Sequence, residues 1–219
     1  MTQYTSHTYE EILSQCNVWE ESIRVFDDAR SDLETLLDRR YDRVFYTGCG
    51  SAFYLSEAGS ALTQDLSHIE AHAMPASEYF LYPNRARVTN GDVTLLIVSS
   101  RSGRTSETVQ AIKAFRETPG SRTLVRIPNP PGFLVVELSD ISLVIPSGQE
   151  VGIAQTRSFS SMYVAHTALS ALLAGRDDLL DVLPALPPIG RRLIDDFESM
   201  AVAFASYTAR KQFFFLGSG

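Results

Sequence analysis

The chain has 219 residues, of which 44% are hydrophobic, and it carries a formal net charge of -7. This size and composition are sufficient for one complete α/β domain with additional helices, and they exclude a disordered or fibrous protein. The acidic balance argues against nucleic-acid binding, because contacts to a phosphate backbone need clustered Lys and Arg. Lys113 and Lys211 are the only lysines.

The cysteines and the apolar segments indicate the cellular compartment of the protein. Cys16 and Cys49 form neither a CxxC pair nor a Cys/His cluster, so no disulfide framework and no metal site are expected. The N-terminus lacks the basic region followed by an apolar region that a signal peptide has. No apolar run reaches membrane-spanning length. We therefore expect a cytoplasmic protein that does not contact a membrane.

Residues 1–40 are expected to form an N-terminal helical arm. Thr8, followed by Glu10 and Glu11, indicates the N-cap of a short helix with an acidic first turn. Apolar residues then recur at helical spacing between about residues 17 and 38, which predicts a second, longer helix. This arm would lie against the domain or against a second subunit, and the expected assembly is a homodimer.

Residues 41–175 alternate apolar runs of strand length with helical segments. This alternation predicts parallel strands joined by right-handed crossovers, and therefore an α/β doubly wound sheet. Ligands of such sheets bind beyond the carboxyl ends of the strands, so the loops after the first and third strands should converge. The first predicted strand begins at Arg43, and the other four cover 69–74, 93–98, 123–127 and 141–145. The predicted helices cover about 52–65, 106–117 and 158–174.

The loop after the third predicted strand is crowded with hydroxyl groups, with the sequence SSRSGRTSET over residues 99–108. It leads into a helix, whose first backbone N–H groups lack partners and whose dipole is positive at that end. The hydroxyls of Ser100, Ser102 and Thr105 can donate to phosphate oxygens. The alternative is an ordinary strand-to-helix turn in which Thr105 or Ser106 caps the helix.

The loop after the first strand has the sequence TGCGS over residues 47–51. Gly48 and Gly50 match the start of a dinucleotide-binding fingerprint, but the bulky Phe53 occupies the place of its third small residue. No cofactor is therefore expected, and a dinucleotide or flavin protein is the weaker alternative. The favoured interpretation is that the backbone of Gly50 and Ser51 holds a sugar or a phosphate.

A third loop, residues 146–160, supplies a carboxylate. Glu150 is the one acid placed within the loops proper, so it is the candidate catalytic base, and burial beside a phosphate would raise its pKa toward neutrality. The alternative is that Glu150 bonds to loop amides or pairs with Arg157 or Arg101. His166 lies in a largely apolar helix and is expected to be a core histidine with satisfied hydrogen bonds.

Residues 176–212 are expected to be a helical linker. In this segment a short amphipathic helix precedes a proline-rich connection over 184–190 and a helix over 191–210. Residues 213–219 then repeat the pattern of residues 44–50, an aromatic strand that ends in Gly-x-Gly. We expect 213–219 to be the first strand of a second, truncated domain.

Together the three loops resemble the signature loops of the sugar isomerase (SIS) domain family. The resemblance is carried by TGCGS at 47–51, by SSRSGRTSET at 99–108, which is the most specific, and by EVGIAQTRSF at 150–159. The order of these loops and the leader over 8–19 are similar to those of double-SIS proteins, namely the isomerase half of glucosamine-6-phosphate synthase and the galactosamine-6-phosphate deaminase/isomerases. The resemblance identifies residues 41–175 as a SIS domain.

The resemblance implies a three-layer, flavodoxin-like fold whose five-stranded parallel sheet binds a hexose phosphate or an amino-sugar phosphate. Relative to the synthase, Ala52 replaces a hydroxyl residue and Gln155 replaces a serine. By motif position, the implied phosphate ligands are Ser51, Ser100, Arg101, Ser102 and Thr105, and the implied sugar contacts are Gly50, Ala52, Ile153 and Gln155.

The implied chemistry is aldose–ketose isomerisation of a hexose or amino-hexose 6-phosphate through a cis-enediol, with or without loss of an amine. In similar double-SIS enzymes the proton-transferring glutamate and the ring-opening histidine lie in the second module, so the main catalytic residues are expected beyond Gly219. This chain is therefore expected to bind sugar phosphate and to turn it over poorly. Glutamine-dependent amination is not expected, because no glutaminase domain precedes residue 1. The alternative is a non-catalytic phosphosugar-sensing SIS module.

Overall fold

The computed structural model describes residues 6–82, 93–118, 121–128, 139–207, 209 and 211–214. Its strands form a five-stranded sheet in the order β2-β1-β3-β4-β5, and every neighbouring pair is parallel. The doubly wound, flavodoxin-like α/β sheet expected from the sequence is therefore confirmed. The strands are β1 (Arg43–Gly48), β2 (Glu70–Pro75), β3 (Val93–Ser100), β4 (Ser121–Pro128) and β5 (Ile141–Ser142).

Helices cover both faces of the sheet and make the fold three-layered. Val44 and Tyr46 of β1 face one core, which the first, second and fifth helices of the chain cover, and Phe45 faces a second core that contains Phe115. Burial on both faces explains why β1 and β3 are nearly continuous apolar runs. Among the described residues, no helix combines the length and the apolar character needed to span a bilayer. The helices are α1 (His7–Leu37), α2 (Ser51–Ser67), α3 (Ala76–Leu81), α4 (Ser106–Glu117), α5 (Arg157–Leu173), α6 (Asp177–Val182) and α7 (Leu186–Ala205).

The N-terminal arm is one continuous helix, so the prediction of two helices was wrong. Ser6 rather than Thr8 is its N-cap, because the Ser6 side chain accepts a hydrogen bond from the backbone N–H of Tyr9. Cys16 and Val18 are both buried where the sequence suggested a break. The segment contains no glycine or proline that would end the helix there.

The proline-rich connection predicted over 184–190 was also wrong. A single 3₁₀ turn, Leu183–Ala185, leads directly into α7. Pro187 is tolerated in the first turn of a helix, where a backbone N–H has no intrahelical partner. Gly190 allows α7 to approach α1, because a Cβ at this position would lie 2.4 Å from a ring atom of Trp19.

The last strand of the sheet, β5, is shorter than the predicted 141–145. The chain nevertheless stays bonded to β4 beyond the end of the strand. Leu143 N donates to Arg126 O at 2.8 Å, and Ile145 N donates to Pro128 O at 3.0 Å. These bonds guide the chain along β4 toward the loop that precedes α5.

The C-terminal segment differs in part from its prediction. Phe213 and Phe214 are in no strand, and residues 215–219 lie outside the described residues. The predicted strand is therefore absent at Phe213 and Phe214, and over 215–219 it stays a prediction. The main catalytic residues, which were expected beyond Gly219, likewise stay a prediction.

Candidate functional site

The carboxyl ends of β1 and β3 are neighbours in the sheet, and the loops that follow them meet as the sequence predicted. Between these loops lies a small cavity of about 100 Å³. The loop that precedes α5 closes one side of it through Gln155. The cavity is lined by Cys49, Ala52, Ser99, Ser100, Arg101, Ser102, Thr105, Thr108 and Gln155.

The hydroxyl groups of the β3–α4 loop organise its backbone. Gly103 N donates to Ser100 Oγ at 3.1 Å, and Arg104 N donates to Ser102 Oγ at 3.3 Å. The hydroxyls of Ser102 and Thr105 lie 3.4 Å apart. Because Ser100 Oγ acts as an acceptor in its loop bond, its own hydrogen can still be donated to a ligand in the cavity.

Neither Thr105 nor Ser106 caps the N-terminus of α4 with its side chain. Thr105 occupies the N-cap position, but its side chain makes no capping hydrogen bond. Ser106 Oγ instead donates to the carboxylate of Glu107 at 2.9 Å. The alternative of an ordinary turn capped by Thr105 or Ser106 is therefore wrong. The helix presents the positive end of its dipole next to the cavity, as an anion site requires.

The β1–α2 loop is tight because of its two glycines. A Cβ at Gly48 would lie 2.7 Å from the backbone carbonyl of Ala52, and Gly50 adopts a φ of +58°. This geometry turns the chain sharply enough for Ala52 to line the cavity. Gly50 lines a neighbouring cavity of about 360 Å³ that Phe53 helps to close.

Glu150 is buried, but its carboxylate is bonded within its own loop. It accepts hydrogen bonds from Thr156 N at 2.7 Å, from Thr156 Oγ1 at 2.6 Å and from the hydroxyl of Ser158. Burial acts to raise the pKa of Glu150, but these hydrogen bonds outweigh it and hold the pKa below the usual glutamate range. The expected rise toward neutrality was therefore wrong, and Glu150 bonds to loop groups rather than to Arg157 or Arg101.

The predicted site residues fall into three groups. Six of them line the cavity between the loops, namely Ala52, Ser100, Arg101, Ser102, Thr105 and Gln155. Gly50 lines the neighbouring cavity instead. Ser51, Glu150 and Ile153 are in the lining of neither, and the Ile153 side chain is 98% exposed.

Several residues that line the cavity were not predicted as site residues from the sequence. Cys49 and Thr108 lie inside the recognised motifs and could have been included on that ground. Burial raises the pKa of the Cys49 thiol above its ordinary value, and the Thr108 hydroxyl, 3.6 Å from Sγ, lowers it by less. Cys49 is therefore an uncharged lining group, and within the described ranges no set of three His, Cys, Asp or Glu side chains could hold a metal ion.

Two further contacts join residues that are distant in the sequence, and no local sequence pattern predicts them. Glu11, from α1, accepts hydrogen bonds from the backbone of the loop that carries Gln155. The side chain of Ser99 bonds to Nε2 of His166, which is fully buried and stacks near Tyr46. His166 Nδ1 is buried without a partner, so the expectation of a fully satisfied core histidine was only half right.

The SIS domain model matches residues 37–174, which is more than half of the chain. The chain belongs to the SIS domain family. It is 28% identical over 178 residues to the isomerizing glutamine–fructose-6-phosphate aminotransferase of Methanothermobacter thermautotrophicus, and this alignment covers 81% of the chain and 29% of the relative. The corresponding protein of Helicobacter pylori is 34% identical over 125 residues, covering 57% of the chain and 20% of the relative. The SIS chain thus spans less than a third of these relatives.

Solved structures of SIS proteins have the same fold. The tagatose-6-phosphate ketose/aldose isomerase of Escherichia coli superimposes with a TM-score of 0.71 at 21% identity, covering 87% of this chain and 55% of that one. The glucosamine-6-phosphate deaminase of Thermotoga maritima gives a TM-score of 0.64 at 25% identity, covering 84% and 54%. This chain therefore spans about half of each.

Proposed function

We propose that this SIS domain binds a hexose or amino-hexose 6-phosphate in the cavity between the β1–α2 and β3–α4 loops, and that it serves aldose–ketose isomerisation through a cis-enediol, with or without loss of an amine. The observation that carries this proposal is the convergence of Ser100, Ser102 and Thr105 on one small cavity next to the N-terminus of α4, which the Thr105 side chain leaves uncapped. Hydroxyl donors, backbone amides and a positive dipole are what a phosphate monoester needs.

Charge supports the same assignment. The chain as a whole is acidic, yet the residues that line this cavity include the cation Arg101 and no carboxylate. Arg101 is half-buried, and its Nη1 lies 3.5 Å from the carbonyl oxygen of Gly152. A cation in this position connects the β3–α4 loop to the loop before α5. It also attracts a dianion that the rest of the acidic chain would repel.

The sugar would lie toward Ala52 and Gln155. Gln155 Oε1 is buried and has no hydrogen-bond partner, which is costly for a polar atom unless a ligand supplies a donor. The hydroxyl groups of a hexose are suitable donors. Relatives whose names specify hexose 6-phosphates, the fructose-6-phosphate aminotransferases and the glucosamine-6-phosphate deaminase, support this choice of ligand.

Isomerisation also needs a base close to C1 and C2 of the sugar. The cavity lining contains neither a carboxylate nor an imidazole, and the carboxylate of Glu150 is held by three hydrogen bonds. We therefore expect this polypeptide to bind the sugar phosphate well and to turn it over poorly, in line with main catalytic residues beyond Gly219. The same observation favours the second candidate function, a non-catalytic phosphosugar-sensing module.

Calorimetric titration with fructose 6-phosphate, tagatose 6-phosphate and glucosamine 6-phosphate tests the proposal. Replacing Ser100, Ser102 and Thr105 together by alanine should weaken binding about 100-fold, since hydrogen bonds to a charged group contribute roughly 1.5–3 kcal/mol each and do not add fully. Thr118→Ala, at the other end of α4, is the matched control and should bind as the wild type does. Equal affinity of the triple variant and the wild type would reject the site.

A second measurement separates the two candidate functions. The bound sugar is incubated in deuterated water, and the deuterium content is followed by NMR at C1 of the ketose and at C2 of the aldose. Slow exchange at these carbons supports an isomerase whose base acts weakly in this chain. Tight binding without any exchange favours the sensor.

We also propose that the SIS chain forms a homodimer. Apolar side chains on α7 are about half exposed, including Leu193, Phe197, Met200 and Phe204, and a partner subunit would remove them from water. Sedimentation at increasing protein concentration tests this, with Phe197→Asp expected to shift the chain toward monomer. A wild type that stays monomeric at all concentrations would reject the dimer.

A further inference from the structure

Arg126 is a buried cation to which the SIS resemblance assigns no role. It lies near the carboxyl end of β4, and its side chain is only 1% exposed. Nε donates a long hydrogen bond of 3.4 Å to Ser142 Oγ, and Nη2 is buried with no hydrogen-bond partner. Over the described part of the chain, no carboxylate forms an ion pair with it.

The guanidinium group lies next to Gly103 of the β3–α4 loop. Arg126 is in register with Val98 of β3, so its side chain is on the face of the sheet that α4 covers. Nη1 is 3.7 Å from the point that a Cβ of Gly103 would occupy. Gly103 has no side chain and a φ of +63°, so no side chain at this position of the loop lies between its backbone and the guanidinium.

This arrangement is unfavourable for the ligand-free chain. A guanidinium stays protonated in proteins, and an unpaired buried charge is costly unless another charge compensates it. The nearby N-terminus of α4 carries partial charge of the same sign, which adds repulsion rather than relief. An anion held by the loop would compensate both positive groups.

We propose that Arg126 is the buried cation of the phosphate site and makes it selective for the dianion of a phosphomonoester over monoanionic and neutral ligands. The inference rests on the proposed function, since it assigns the charge preference of the same site. In this site the hydroxyls of Ser100 and Ser102 fix the position of the phosphate, and Arg126 supplies charge from behind the loop. Coulomb attraction of this kind is weakly screened because the guanidinium is excluded from solvent.

The test compares two ligands of nearly equal shape and different charge. At pH 8 fructose 6-phosphate is a dianion, because the second pKa of a phosphate monoester is about 6, whereas fructose 6-sulfate is a monoanion. Wild type should prefer the phosphate. Arg126→Met should weaken phosphate binding about 10- to 100-fold, the order of magnitude expected when a buried unit charge near the anion is lost, and should weaken sulfate binding much less.

Three further variants make the comparison decisive. Arg126→Lys keeps the charge and should retain most of the preference for phosphate. Arg104→Met removes an exposed cation from the same loop, so it controls for net charge and should keep the wild-type ratio. Arg126→Gln replaces the methionine variant if circular dichroism shows that the latter is unfolded.

The outcomes distinguish this inference from the proposed function. If wild type binds neither ligand, both are wrong. A second outcome is that wild type binds and the triple alanine variant at Ser100, Ser102 and Thr105 does not, while Arg126→Met keeps the wild-type ratio of phosphate to sulfate affinity. This outcome rejects the role of Arg126 and leaves the proposed function standing. A ratio that falls in Arg126→Met and recovers in Arg126→Lys supports it.

Discussion

The carboxylate of Glu11 accepts a hydrogen bond from the backbone N–H of Val151 at 2.7 Å, although the two residues are 140 positions apart in the sequence. The same oxygen accepts a second bond from Gly152 N at 3.1 Å. Glu11 is 3% exposed and belongs to α1. The N-terminal helix therefore holds the loop that brings Gln155 to the cavity, and it is part of the site rather than an appended arm.

Glu11→Gln should loosen this loop. The variant keeps the shape of the side chain but loses the charge that strengthens both hydrogen bonds, which should lower the free energy of unfolding by about 1–3 kcal/mol. Urea unfolding measures that loss, and titration with fructose 6-phosphate should show weaker binding. Glu10→Gln, at the exposed neighbouring position, is the control. A Glu11→Gln variant with wild-type stability and affinity would show that the loop does not depend on α1.

Gly152→Ala tests the same contact from the other side. A Cβ at Gly152 would lie 2.5 Å from Glu11 Oε2, so the carboxylate must move, and overpacking of this kind costs about 1–3 kcal/mol. In a Glu11→Ala background this obstruction is gone, and the added cost of Gly152→Ala should shrink to what the remaining contact imposes, with Thr8 Oγ1 at 3.1 Å from the added Cβ. The four unfolding free energies form a double-mutant cycle. Additive effects would contradict the predicted clash.

Local patterns were sufficient to predict the sheet and the position of the loop between β3 and α4. β3 is buried on both faces, and its apolar run ends directly at Ser99 and Ser100, so the strand, the loop and the helix could be placed from one stretch of sequence. The convergence of the loops after β1 and β3 follows from parallel topology, which a sheet of this class imposes. Six of the implied site residues line one cavity for that reason.

Contacts between distant segments could not be predicted in this way. Glu11 looked like an acid that complements its own helix dipole, because nothing near it in the sequence indicates residue 151 as a partner. The pKa of Glu150 was expected to rise with burial, but its direction depends on Thr156 and Ser158, whose side chains are oriented by the start of α5. Buried Arg126 carried no motif, and only its position under Gly103 connects it to the site.

Glu150→Gln should destabilise the loop in a pH-dependent manner. Because the pKa of Glu150 is lowered in the folded chain, its carboxylate stabilises the fold above the ordinary glutamate pKa of about 4.3, and this contribution is lost as the pH falls through the lower folded pKa. We expect wild type to be more stable than the variant by about 1–3 kcal/mol at pH 7, and the difference to shrink below about pH 4. Glu57→Gln, on the exposed side of α2, is the control. A difference that stays constant from pH 7 to pH 3 would contradict the assignment.

His166 should make the whole fold sensitive to mild acid. Burial lowers its pKa to about 3, whereas a histidine in the unfolded chain has a pKa of about 6.5. The unfolded state therefore binds a proton between these values and the folded state does not, so stability falls as the pH drops below about 6.5. At pH 5 the loss from this one group should be about 2 kcal/mol, at 1.36 kcal/mol for each pH unit.

His166→Gln removes the titrating ring and keeps a polar side chain that can bond to Ser99. The free energy of unfolding of this variant, measured in urea between pH 7.5 and pH 5, should lose the part of the wild-type slope that His166 causes. The variant should also be less stable than wild type at pH 7.5, because glutamine does not fill the space of the imidazole. His7→Gln, at an exposed position of α1, is the matched control and should keep the wild-type slope. An unchanged slope in His166→Gln would mean that the buried imidazole is not the group that couples proton binding to unfolding.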